Sequence, residues 1–144
     1  MDDWIEVTEK VISLEEVVSR VKNDDSGCVV TYVGLIRGHS QGRRVLSVEY
    51  YDCAGNARHA LCEIARAIRQ RWSVENIAIC HRIGKLSVGE VNLVVAVASA
   101  HRKEGFAACQ YAIDRFKEKL PTKKTEVYDD RSSLVEESEE ETMV

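Results

Sequence analysis

The stretch Asn92-Leu-Val-Val-Ala-Val-Ala-Ser-Ala-His-Arg-Lys-Glu-Gly-Phe106 decides how this chain is read. Its first half is an apolar, valine-rich run. It is far too short to cross a bilayer and has the make-up of a buried strand. Its second half opens an amphipathic helix at His101 and Arg102. On that helix Phe106, Cys109, Ile113, Phe116 and Leu120 recur at helical spacing, so they are expected to form one apolar stripe. The helix stops at Pro121, the only proline of the chain, because proline lacks the N–H that a helix interior needs. Lys117, Lys119, Lys123 and Lys124 gather around that stop. A histidine–arginine pair at one end of a helix and lysines at the other suggest an anion site with a reactive amine nearby.

Upstream, residues 4–8 alternate and are short enough for an edge strand. Ser13 and Glu16 form a capping box that opens a helix to about residue 22. Residues 28–36 are β-branched and aromatic and read as a central strand. Residues 45–51 alternate and are expected to pair with that strand as a long hairpin. The basic, glycine-containing loop Arg37-Gly-His-Ser-Gln-Gly-Arg-Arg44 joins the two. Leu61, Ile64, Ala65, Ile68 and Trp72 mark a helix over about 55–72. A strand follows over 75–82, and residues 84–90 read as a turn-rich connection. Residues 124–128 make a last short strand. Hairpins mixed with helices indicate an α+β fold with a mostly antiparallel sheet and about three helices, not a doubly wound one.

At 144 residues the chain is one domain. It divides into an α+β unit over 1–131 and an acidic, disordered tail over 132–144. The net charge of −4 comes from that tail. Glu136 to Glu141 hold five acids and no base, and the rest carries 20 basic against 19 acidic groups. A near-neutral body with clustered bases suits a small anionic ligand better than nucleic acid, which needs a broad basic face. There is no basic-then-apolar leader and no span long enough for a membrane, so a cytoplasmic location is expected. The five cysteines, none of them in a C-x-x-C pair, read as free structural thiols rather than a metal site.

Several side chains are candidates for chemistry. His101 and Arg102 stand where a strand passes into a helix, a place where unpaired N–H groups collect anions; taken alone, the pair reads more simply as a helix cap and a solvated arginine. Arg37 ends a strand, with His39, Arg43 and Arg44 near it. On the last helix Gln110, Asp114 and Lys117 share a face, so Asp114 is placed to hold or orient Lys117. Lys124 can fold back toward that helix across Pro121. A partly buried lysine in a cation-rich site acts as a base or nucleophile. Lys119 and Lys123 read as a solvated helix end. His81 reads as structural, His59 as exposed, and Tyr50 and Tyr51 as core or interface aromatics.

Taken together, these pieces resemble the catalytic (large) subunit of molybdopterin synthase. The likeness covers about residues 27–128. It rests on the stretch from Gly27 to His39, Val48-Glu-Tyr-Tyr51, the helix ending Arg71-Trp72, His81-Arg-Ile-Gly-Lys-Leu86, Val88-Gly-Glu90, Ser99-Ala-His-Arg102, Phe106 and the stretch from Lys117 to Glu126. The resemblance implies a hammerhead-type fold and a homodimeric core. It also implies a heterotetramer with a small ubiquitin-like sulfur carrier ending in a Gly-Gly thiocarboxylate. The implied reaction moves sulfur from that thiocarboxylate onto cyclic pyranopterin monophosphate and forms the molybdopterin dithiolene, with no metal or cofactor. This chain ends Thr142-Met-Val144, so it is not expected to be the carrier.

By position, the resemblance assigns substrate binding to Arg37, His101, Arg102, Lys117, Lys124, Thr125 and Glu126, with Lys117 and Lys124 catalytic. It implies a site near the dimer interface that draws on both chains. Relatives carry aromatic residues between the proline and the second lysine, where this chain has Thr122 and Lys123. Two other readings stand beside it. A non-catalytic dimeric phosphate- or nucleotide-binding module needs the basic loops but no reactive lysine. A cysteine persulfide sulfurtransferase would use Cys109.

Overall fold

The computed structural model describes residues 3–130 and 132–136. In chain order its elements are β1 (Trp4–Thr8), α1 (Leu14–Val21), β2 (Cys28–Leu35), β3 (His39–Ser40), β4 (Arg43–Tyr51), α2 (Ala57–Arg71), β5 (Asn76–Arg82), β6 (Gly84–Ser87), β7 (Val91–Ser99), α3 (Arg102–Glu118), β8 (Lys123–Tyr128) and β9 (Ser133–Glu136). The α+β expectation is borne out. A first sheet has the order β1-β5-β7-β2, and a second runs β3-β4-β8-β9 with β6 also paired to β4. Among the described residues only β1 with β5 is parallel.

The apolar run of β7 is continuous because the first sheet is covered on both faces. Leu93, Val95 and Val97 pack with Ile77 and Ile79 of β5 under α2 and α3. Val94, Ala96 and Ala98 turn the other way, with Ala78 and Cys80, onto Val17 and Val21 of α1. Small side chains on that second face let α1 sit close. The Ser13 side chain accepts a hydrogen bond from the Glu16 N–H, 3.2 Å long, and so caps α1 as its sequence predicts. The second sheet has its own core of Ile36, Val45, Val48, Tyr50, Leu86 and Tyr128.

α3 closes on the first sheet through Gly105. A Cβ there would lie 2.8 Å from the Ser99 hydroxyl and 2.9 Å from a Val30 methyl. This approach sets the helix rotation and corrects the expected apolar stripe. The buried positions are Gly105, Ala108, Cys109, Ala112 and Phe116, while Phe106 is 61% exposed.

Strand partners depart further from expectation. β2 is an edge of its sheet, not its centre. β4 does not form a hairpin with β2; it pairs with β3, β6 and β8. The hairpin is the short β3–β4 unit, turned by Gln41 (φ 52°) and Gly42 (φ 76°). Two successive left-handed residues match the twist of a tight hairpin. Within the expected turn over 84–90, Gly84–Ser87 is a strand on β4. Within the expected disordered tail, Ser133–Glu136 is β9, bonded antiparallel along the open edge of β8. Main-chain hydrogen bonds made this pairing without regard to composition, so the boundary at 131 does not hold; residues 137–144 lie outside the described residues.

Candidate active site

Four segments, drawn from two stretches far apart in sequence, meet where the two sheets join. β2 bulges between Gly34 and Leu35 and delivers Arg37. The β3–β4 hairpin brings His39, Ser40 and Gln41. The last turn of α3 carries Lys117, and β8 carries Lys124 and Glu126. Together with Tyr50 of β4 and Asn92 of β7 they line a cleft of about 630 Å³. A smaller recess of about 280 Å³ extends it past the end of α3, between Lys117, Leu120 and Lys124.

β8 alternates, and this sorts its residues. Lys124, Glu126 and Tyr128 share one face. Glu126 is 5% exposed. One of its oxygens accepts hydrogen bonds from the Ser40 hydroxyl (3.1 Å) and the Tyr128 hydroxyl (2.9 Å). Its other oxygen lies 3.8 Å from the Lys124 ammonium. The Arg43 guanidinium covers the Tyr128 ring at 3.8 Å and pairs with Asp130 at 2.8 Å. Arg43 therefore supports the wall and does not line the cleft. Lys123, on the opposite face, lines a separate groove of about 600 Å³ between α2 and α3, with His59, Tyr111, Arg115 and Lys119. Thr125 also points away from the cleft, which places it apart from the residues it was grouped with.

The structure brings Arg37, Lys117, Lys124 and Glu126 together. It does not bring His101 and Arg102 to them within one chain. Both are exposed, at the N-terminus of α3, about 22 Å from Lys117 at the helical rise. His101 is the N-cap by position, yet its side chain makes no capping bond. Asp114 makes no ion pair with Lys117 among the described residues; both are exposed.

Tyr50, Asn92 and Ser40 were not singled out for the site from sequence. Asn92 carried a usable signal, as a lone amide in an otherwise apolar strand. Its side chain donates to the Tyr50 hydroxyl at 3.1 Å. Tyr50 is buried as expected, whereas Tyr51 is exposed.

Burial separates the thiols from this chemistry. Cys80 is pushed up to about 12 and Cys109 to about 11 by desolvation, so neither is a thiolate near neutral pH. Cys109 also faces the Val95 carbonyl inside the core. Cys53 alone is exposed, with Cys28 and Cys62 half-buried. Among the described residues no group of three or more His, Cys, Asp or Glu side chains is placed to hold a metal ion. No helix among them is long and apolar enough to cross a membrane.

The sequence matches the MoaE protein family over residues 7–119. It is 38% identical to the molybdopterin synthase catalytic subunit of Nostoc sp. strain PCC 7120, over 92% of this chain and 81% of that protein. It is 35% identical to the subunit of the same name from Bacillus subtilis strain 168, over 87% and 80%. The fold superposes on the crystal structure of molybdopterin synthase from Staphylococcus aureus with a TM-score of 0.84. That pair is 32% identical and covers 94% of this chain and 98% of the other. With the match spanning most of its length and the fold in agreement, the chain belongs to the MoaE protein family.

Proposed function

We propose that this chain is the catalytic subunit of a molybdopterin synthase. It takes sulfur from the C-terminal thiocarboxylate of a small ubiquitin-like carrier and places it on cyclic pyranopterin monophosphate; two transfers complete the dithiolene. The observation that carries this reading is the convergence of Arg37 from the loop after β2, Lys117 from α3 and Lys124 from β8 on one cleft.

The residues divide the work by their chemistry. Arg37 offers a planar donor fork to the substrate phosphate. The recess beside Lys117 is the way in for the carrier's Gly-Gly end, which has no side chains to obstruct it. The thiocarboxylate sulfur bonds to a side-chain carbon of the pterin as an oxygen substituent leaves that carbon, which joins carrier and pterin as an acyl thioester. Water then adds to the acyl carbon and a tetrahedral oxyanion forms; its collapse breaks the acyl C–S bond, leaving a carboxylate on the carrier and a thiolate on the pterin. Lys117 stands where it stabilises that oxyanion. Lys124, held by Glu126 at 3.8 Å, supplies a second positive charge and a proton donor.

His101 and Arg102 join this chemistry only across a dimer. In that arrangement the exposed start of α3 from a second copy meets the cleft of the first, and each pair of chains makes two sites. Thr125 contributes through the β8 main chain, not its side chain. The assembly is a heterotetramer of two catalytic subunits and two carriers, and we place it in the cytoplasm, where free thiols persist.

The test is turnover in vitro with thiocarboxylated carrier and cyclic pyranopterin monophosphate, with Lys117→Ala alongside. Dithiolene from the wild type and little from the variant is the expected result. No product from the folded wild type with loaded carrier would leave the phosphate-binding module as the better reading.

A further inference from the structure

His81 has no solvent exposure, yet both its ring nitrogens are engaged. Nδ1 lies 2.9 Å from the main-chain oxygen of Asn92, and Nε2 lies 2.9 Å from Oγ1 of Thr122. A carbonyl oxygen only accepts, so Nδ1 carries the proton. Nε2 is then a bare lone pair, and the Thr122 hydroxyl donates to it. The ring also packs edge-on against Tyr50 and Phe116, each with centroids 4.9 Å away. Desolvation holds the imidazole neutral, its pKa brought down to about 4.

Each of these four neighbours sets part of the cleft. Phe116 is the residue before Lys117. Tyr50 is the register partner of Lys124. Thr122 stands two residues before Lys124, in the turn that links α3 to β8, and is 3% exposed. Asn92 lines the cleft itself. A single ring on β5 thus touches the base of both lysine-bearing segments and the turn between them.

We propose that His81 and Thr122 are a positioning pair that sets the spacing of Lys117 and Lys124, by tying the α3–β8 turn to β5. The proposal rests on the sulfur-transfer reading for its kinetic consequence, but not for its geometry. Neither side chain reaches the reacting atoms. They act by holding two amines where a displacement of about 1 Å costs up to a hundredfold in rate.

The test uses Thr122→Val, which keeps the side-chain shape and removes the donor, and Thr122→Ser, which restores it. Should Thr122→Val not fold, Thr122→Ala replaces it with the same expectations. In histidine-15N spectra of the wild type, His81 should show a protonated Nδ1 and a bare Nε2. In lysine-13C spectra of Thr122→Val, the Lys117 and Lys124 signals should move while Lys22, the C-cap of α1, stays in place. In the turnover assay Thr122→Val should lose kcat by on the order of tenfold to a hundredfold with carrier affinity unchanged. Thr122→Ser should recover to within about threefold of wild type.

A protonated Nε2, unmoved lysine signals, a wild-type kcat in Thr122→Val, or equal losses in the serine and valine variants would each overturn the proposal. If the wild type itself gives no product, the sulfur-transfer reading fails alone. The tautomer and the lysine signals then still decide the positioning pair.

Discussion

The two ends of α3 are both basic, and they have opposite fates. At the C-terminal end Lys117 meets Lys124, Glu126 and Arg37 across a cleft, backed by the buried His81. At the N-terminal end His101 and Arg102 stand exposed, with no side-chain cap. Both ends read as anion sites when only the local sequence is considered. The difference shows that charge at a helix end becomes a site when a second element walls it in. At the lysine end that element is β8, turned back by Pro121 and held by Thr122. At the other end no element among the described residues performs that service.

The largest effect should come at the walled end. Lys117→Ala is expected to lower turnover on the order of a hundredfold to a thousandfold, the scale of losing one oxyanion donor, with carrier binding kept. A variant within a few fold of wild type would break the comparison outright. At the open end, Arg102→Ala should abolish most activity only if a second copy completes the site. Mixing inactive Arg102→Ala with inactive Lys117→Ala and letting the dimers exchange should then restore about a quarter of wild-type turnover, since half the dimers are mixed and each holds one intact site. No recovery would mean that the two ends never share a site.

A third test sets the ends against each other by pH. The folded pKa of His81, about 4, lies below its ordinary value of 6.5. The unfolded chain therefore binds the proton more readily. The contribution of His81 is complete above about pH 6.5 and is lost as pH falls toward 4. It amounts to roughly 3 kcal/mol of unfolding free energy, measured by urea titration at pH 7 and pH 4. Hydrogen exchange should show the acid-induced loosening first at residues 116–124 and not at residues 102–105. Equal loosening at both ends would detach His81 from the lysine end.

The smallest effect belongs to the cap. His101→Ser supplies the missing side-chain acceptor and should raise stability by about 0.5–1 kcal/mol, read as a rise in Tm. Should His101 serve a shared site, the same variant loses turnover while it gains stability. A gain in stability with full turnover would leave His101 as no more than a helix start.

Much of this contrast was legible before any coordinates. The valine run of β7, the three helices, the stop at Pro121 and the cluster of lysines follow from periodicity and from the missing proline N–H. Arg37, Lys117, Lys124 and Glu126 were all nominated, and all line the cleft. What went astray has one kind of cause. Periodicity states which face of a strand is buried, not which strand lies beside it. β2 was therefore set at a centre when it is an edge, and β4 was paired with its sequence neighbour when it lies along β8. Ser133–Glu136 was set aside on composition, although β8 offered its main chain an open edge. Phe106 was placed on the buried stripe by spacing alone. The close approach at Gly105 turned that face to solvent.

The sequence by itself determined the elements, their buried faces and the types of side chain available for chemistry, because helix and strand periods, caps and proline act over a few residues. Only the tertiary structure decided which of two basic helix ends became a cleft. It also decided that a histidine in mid-strand would hold the turn between two lysines. Those outcomes depend on pairings between residues 40 and more positions apart, such as His81 with Thr122 and Tyr50 with Lys124. Each is set by the packing of whole sheets and not by any local preference.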